Sequence, residues 1–164
     1  MALKVNGLFP GKLLPTNSPA PCIEIYENVW PEPMRTIQMV ENVCSDSDSG
    51  VFWERAGTIG NGAYQNIRTN KLMVVTHLAD IADNPALQNI HNQMYILLLA
   101  ATHSYIEKYG FQEPLFHEPY QMLKYSENEY YEAHYDGASD IARAISAIVY
   151  LNDDYEGGEI EFEN

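Results

Sequence analysis

The sequence has 164 residues, the size of one domain with one core, and its 46% hydrophobic and 12% aromatic content can fill that core, so disorder is excluded as a description of the whole. Nine Lys and Arg stand against 23 Asp and Glu, a net charge of −14 that repels phosphate backbones and anionic lipid headgroups and argues against nucleic-acid or membrane-surface binding. The longest strongly apolar run, Met94 to Ala101, falls far short of the ~20 residues that span a bilayer, and Gly and Pro interrupt the start of the chain where a secretory segment would lie.

The expectation is therefore a soluble cytoplasmic protein. Cys22 and Cys44 have neither CxxC spacing nor a neighbouring His, and read as buried or spectator thiols in a reducing compartment. Residues 1–21 carry Pro10, Pro15, Pro19 and Pro21 without periodicity, which predicts an extended arm ahead of a domain over 22–164. Cys22 to Tyr26 alternates as a strand does. Pro31 and Pro33 then introduce a helix from Met34 to Val43 with Ile37 and Val40 on one face. The run from Ser45 to Gly50 is small, acidic and turn-prone, and Gly57, Gly60 and Gly62 prolong an irregular region to Arg68.

A long helix follows, because Asn84 can cap it, Pro85 suits its first position and Gly110 suits its exit. Leu87, Ile90, Met94, Leu97, Leu98, Ala101 and Tyr105 recur on one face, a stripe that should bury against a sheet. Beyond it, Tyr120 to Ser126, Tyr130 to Asp136, Ile145 to Leu151 and Glu159 to Phe162 read as strands. Helices followed by strands argue for an α+β fold, with helices backing a sheet or jelly roll.

Within the second of these strands, Tyr130, Glu132, His134 and Asp136 should share a face, with Tyr131, Ala133 and Tyr135 on the other. An imidazole and a carboxylate two residues apart supply two corners of the facial triad that holds non-haem Fe(II). The spacing alone is common in an acidic chain, and a strand-surface His beside a solvated Asp would produce it equally well.

The surrounding string is more specific. Tyr125, Tyr131, His134 and Asp136, then Arg143 and Ser146 before Tyr150-Leu151-Asn152, then Gly157-Gly158-Glu159, resemble the Fe(II)- and 2-oxoglutarate-dependent dioxygenases of the prolyl 4-hydroxylase type. That resemblance implies a double-stranded β-helix core backed by helices, with His134 and Asp136 as metal ligands and catalytic centre. By the same resemblance, Tyr125 and Tyr150 would line the 2-oxoglutarate pocket. It further implies Fe(II) and 2-oxoglutarate as cofactors, with ascorbate as an auxiliary reductant, and a peptidyl prolyl or related substrate. Arg143 is expected to pair with a carboxylate and Asn152 to serve the turn before Tyr155.

Asn128 stands where the family has Gly, and Ala133 where Pro is frequent. The family's second His and its 2-oxoglutarate-binding base come from later strands, whereas no His follows Asp136 here. The expectation is a domain represented by its front two-thirds, or completed by another chain through unpaired strand edges, by self-association included. His117 substitutes only if its loop folds back; His77, His91 and His103 read as surface or packing residues. A loop over Val51 to Asn70, with Trp53, Tyr64 and Arg68, could cover an extended peptide or serve only packing. The competing reading is a catalytically dead binding or assembly module that keeps the fold. A cupin-like metal protein is disfavoured, since no second His lies two residues from His134.

Overall fold

The computed structural model describes residues 13–56, 67–75, 83–111, 118–136 and 143–162. Two short antiparallel strands open it, β1 (Asn17–Ala20) and β2 (Ile23–Ile25), turned at Cys22, whose φ is 62°. The end of the expected arm is thus a hairpin strand, because residues 17–20 find a backbone partner that side-chain periodicity does not announce. Glu24 fastens this hairpin to the rest of the molecule. Its carboxylate accepts hydrogen bonds from Lys108, Ser18 and Tyr109, which together draw its pKa from 4.5 to about 2, and the Tyr105 hydroxyl donates to the Cys22 carbonyl at 2.7 Å.

Helix α1 (Pro33–Ser45) contains the expected helix from Met34 to Val43 and extends it at both ends, but its N-cap, Glu32, is left-handed and offers no side-chain cap. A buried bond from the Trp30 indole N–H to Thr36 Oγ1 (2.9 Å) fixes the entry instead. The turn after α1 is held by the Ser49 hydroxyl, 2.8 Å from the Val43 carbonyl and 2.7 Å from that of Asp46. Helix α2 (Pro85–Tyr109) has the predicted ends: the Asn84 side chain accepts from the Leu87 amide at 3.2 Å, and Gly110 leaves at φ 71°. These close backbone groups that a helix end otherwise leaves open.

The second sheet has the order β3 (Glu54–Arg55), β4 (Lys71–Val74), β5 (Gln121–Lys124), all antiparallel. Met73 and Met122 are paired across it, and Met73 joins Trp30, Val40, Val75, Leu87, Ile90 and Leu97 in the core. Each such side chain contributes ~1.5–3 kcal/mol on burial. Leu87, Ile90 and Leu97 of the predicted stripe are the ones fully buried, and Cys44 lies against the core with its Sγ 3.6 Å from Met73 Sδ.

Of the four predicted carboxy-terminal strands, the first is β5. The other three are not strands among the described residues: residues 130–136 make one isolated bridge, Arg68 to Tyr131, and residues 143–162 form no ladder. Alternation along 145–151 is nonetheless visible, since Val149 and Leu151 pack on the core while Ile148 and Tyr150 are exposed. Alternation sets which face is apolar, but a strand exists only where a second backbone pairs with it. The described residues are an α+β arrangement of two small antiparallel sheets and two helices; they form no closed barrel. Among them, no helix is long and apolar enough to cross a membrane.

Candidate metal centre

The site is built on a change of register. Lys71 faces Lys124, yet Arg68 faces Tyr131, so three steps along one strand answer seven along the other. The extra residues leave as a turn, Ser126 to Glu129, closed by the Glu129 amide on the Ser126 carbonyl (3.0 Å) and by the Ser126 amide on Glu129 Oε2 (2.6 Å). Asn128 occupies its left-handed position at φ 63°, where Asn is tolerated better than other side chains that carry a Cβ. Tyr125 stands just before this excursion and Tyr131 just after it.

Pairing resumes with the Thr69 amide on the Tyr130 carbonyl (3.1 Å) and the Glu132 amide on the Ile67 carbonyl (2.8 Å). The Tyr131 ring is clamped there. Arg68 lies over it at 4.5 Å, and the His134 ring stacks on it at 3.7 Å and 15°. Strand parity assigns Tyr131 and His134 to opposite faces, and the structure brings them together because the chain bends after Tyr131 instead of continuing as a strand. Arg68 is buried, with its Nε donating to Asn70 Oδ1 at 2.8 Å, and Trp53 packs against the core; both belong to the packing, and Tyr64 lies outside the described residues.

His134 and Asp136 do meet, with Nε2 3.4 Å from Oδ1. His134 Nδ1 is 2.8 Å from the Glu132 carbonyl, which can only accept, so Nδ1 carries a hydrogen and Nε2 is the ring nitrogen turned toward the carboxylate. A proton on Nε2 or a metal ion between the two atoms makes that contact attractive. A backbone carbonyl on the far nitrogen is also how a metal-ligating His is oriented. An ion about 2.1 Å from each atom subtends ~3.0 Å at a right angle and ~3.4 Å at a tetrahedral one, so the pair fits a metal as two of its ligands.

The Asp136 carboxylate is positioned by residues further along the chain. Ser146 Oγ donates to Oδ2 at 2.5 Å, and Arg143 Nη1 donates to the Asp136 carbonyl at 3.2 Å and lies 3.6 Å from Oδ1. Arg143 is itself held in a fork by Glu118, at 2.6 and 2.8 Å, which lowers the Glu118 pKa and raises that of Arg143. The expected carboxylate partner of Arg143 is thus Glu118, with Asp136 second. The Asn152 amide bonds Asp154 Oδ1 at 2.6 Å, in the turn before Tyr155, and Gly157 and Gly158 take φ values of 79° and 74°.

Tyr125 and Tyr150 are both partly exposed. Burial pushes the Tyr125 phenol above its ordinary value, against the pull of Arg68, and the Tyr131 and Tyr150 phenols add to the rise. Burial, then Tyr155, raises Tyr150 likewise. Both keep a hydroxyl proton to donate at neutral pH.

No family model matches this chain, nor does any curated protein or solved structure.

No group of three or more His, Cys, Asp or Glu able to hold a metal occurs among the described residues. His117 and His77 lie outside them. His91 packs at 5.4 Å on the Tyr120 ring and His103 is exposed, as expected of packing and surface residues. The sequence reading names Tyr131 within the motif but places it on the face opposite His134, so it does not foresee the stack between them; Glu118 carries no signal, since nothing in the sequence links it to Arg143.

Proposed function

We propose that the chain is an Fe(II)- and 2-oxoglutarate-dependent dioxygenase domain of the prolyl 4-hydroxylase type, acting on a peptidyl prolyl or related substrate. The observation that carries this reading is the His134–Asp136 pair, with Nε2 3.4 Å from the carboxylate and both groups held from behind. His134 and Asp136 would hold the iron. The chemistry supplied by iron and 2-oxoglutarate, when bound, is activation of O2, with release of succinate and CO2 and hydroxylation of the substrate. The protein's part is positional: the Glu132 carbonyl fixes the imidazole tautomer, Tyr131 fixes its plane, and Ser146 orients the carboxylate. Tyr125 and Tyr150 keep phenolic donors for the carboxylates of 2-oxoglutarate.

A non-catalytic binding module is the second reading, favoured by Arg143, which lies 3.6 Å from Asp136 Oδ1 and already gives that carboxylate a cation. Anaerobic Fe(II) titration of the wild type, His134→Ala and Asp136→Ala, with and without 2-oxoglutarate, separates the two. The oxygenase reading expects binding by the wild type that 2-oxoglutarate strengthens and either substitution abolishes. Equal binding by all three proteins, or none by the wild type, leaves the binding module.

A further inference from the structure

Arg55 and Lys71 are directly opposed across β3 and β4, and Lys71 is in turn opposed to Lys124 on β5, so three cations form one row across the sheet. Like charges directly opposite destabilise a sheet. Lys124 is relieved by Glu41 at 2.7 Å. Elsewhere Arg35 pairs with Glu32, Lys108 with Glu24 and Arg143 with Glu118, while Arg68 is buried against Tyr131 and Asn70. Among the described residues, Arg55 and Lys71 alone of the basic side chains have neither a carboxylate nor an aromatic partner, in a chain of net charge −14.

These two line an open cavity of about 300 Å³ together with Thr69 and Glu129. The Thr69 hydroxyl oxygen accepts from the Tyr130 amide at 2.9 Å, and its own hydrogen has only a 3.5 Å contact with the Tyr130 carbonyl, so it can turn to a ligand. Glu129 has one oxygen committed to the Ser126 amide. The lining keeps a net positive charge. None of these four lining residues belongs to the Tyr131–His134 stack or to the contacts of Asp136.

We propose that Arg55, Lys71 and Thr69 form a carboxylate-binding site, distinct from the metal centre and independent of the oxygenase reading. The guanidinium fork takes the two oxygens of a carboxylate, and the ammonium and hydroxyl complete its donors. A carboxylate seated there removes the repulsion that the empty cation pair imposes on the sheet.

The test uses the full chain without metal, so that its outcome is separate from that of the iron titration. Amide chemical shifts are followed while adding succinate, or a capped hexapeptide with one Glu, or its Gln counterpart. Shifts at Arg55, Thr69 and Lys71 with either carboxylate but not with the Gln peptide are the expected result. Succinate matching the Glu peptide identifies a free acid as the ligand, whereas a peptide about tenfold tighter identifies an acidic side chain. Arg55→Gln and Lys71→Gln should each weaken binding about tenfold, with an unchanged or raised thermal midpoint because a like-charge contact is gone. No shift at these amides, variants that respond as the wild type, or a Lys71→Gln variant of lowered midpoint would overturn the proposal.

Discussion

The helix-backed part of the molecule and the segment from Tyr130 to Phe162 are held by different forces. In the first, backbone ladders and buried apolar side chains do the holding: α2 is capped at both ends, and Val40 and Leu87 are each 1% exposed. In the second, among its described residues, there is one isolated bridge; Val149 and Leu151 lean on the core, but Tyr135 is 93% and Phe162 68% exposed. Order around His134 comes instead from side chains, through the Tyr131 stack and the chain of contacts from Glu118 through Arg143 to Asp136 and Ser146. Polar contacts of this kind fix direction at little net gain in stability, which suits a ligand set better than a core.

That contrast breaks most visibly under truncation. Leu87→Ala should cost about 2–5 kcal/mol in urea unfolding, because α2 and the sheet cannot close the cavity, whereas Ile148→Ala should stay within ~0.5 kcal/mol. Comparable losses at the two positions would mean that the carboxy-terminal segment is packed as tightly as the helices. Removing the cap with Asn84→Ala should cost about 1 kcal/mol, read from the thermal midpoint. Asn128→Ala should cost ~1 kcal/mol, since alanine lacks the local hydrogen bonding that eases a left-handed φ.

Acid sharpens the comparison in a different way. The Glu24 pKa is lower in the folded chain than its ordinary value of 4.5, at about 2, so its contribution is complete above pH 4.5 and is lost as the pH falls toward 2. Glu118, also lowered, acts in the same direction. Unfolding midpoints taken from pH 6 down to pH 2 should therefore fall less for Glu24→Gln than for the wild type. Identical slopes would show that the hairpin clamp contributes nothing.

What could be read from the sequence obeys the same division. Asn84, Pro85 and Gly110 act through their own backbone, and the ends of α2 lie where those residues place them. The pairing of His134 with Asp136 was legible for a similar reason, being a matter of two residues. The partner of a strand is not local, so alternation over 130–136, 145–151 and 159–162 suggested ladders that the described backbone does not make. Nor could parity foresee the Tyr131–His134 stack, which depends on a bend, or the bidentate Glu118–Arg143 contact across 25 residues of sequence.

The bonds from the last turn of α2 to the β1–β2 hairpin join residues 83 to 85 positions apart in the chain, from Tyr105 to Cys22 and from Lys108 and Tyr109 to Glu24. Closing a loop of that length costs about 1.2 kcal/mol more than closing one a quarter as long. Because Glu24 stays ionised down to a pH of about 2, this long-range clamp outlasts ordinary carboxylate contacts as the molecule is acidified, and it keeps the hairpin tied to the end of the helix.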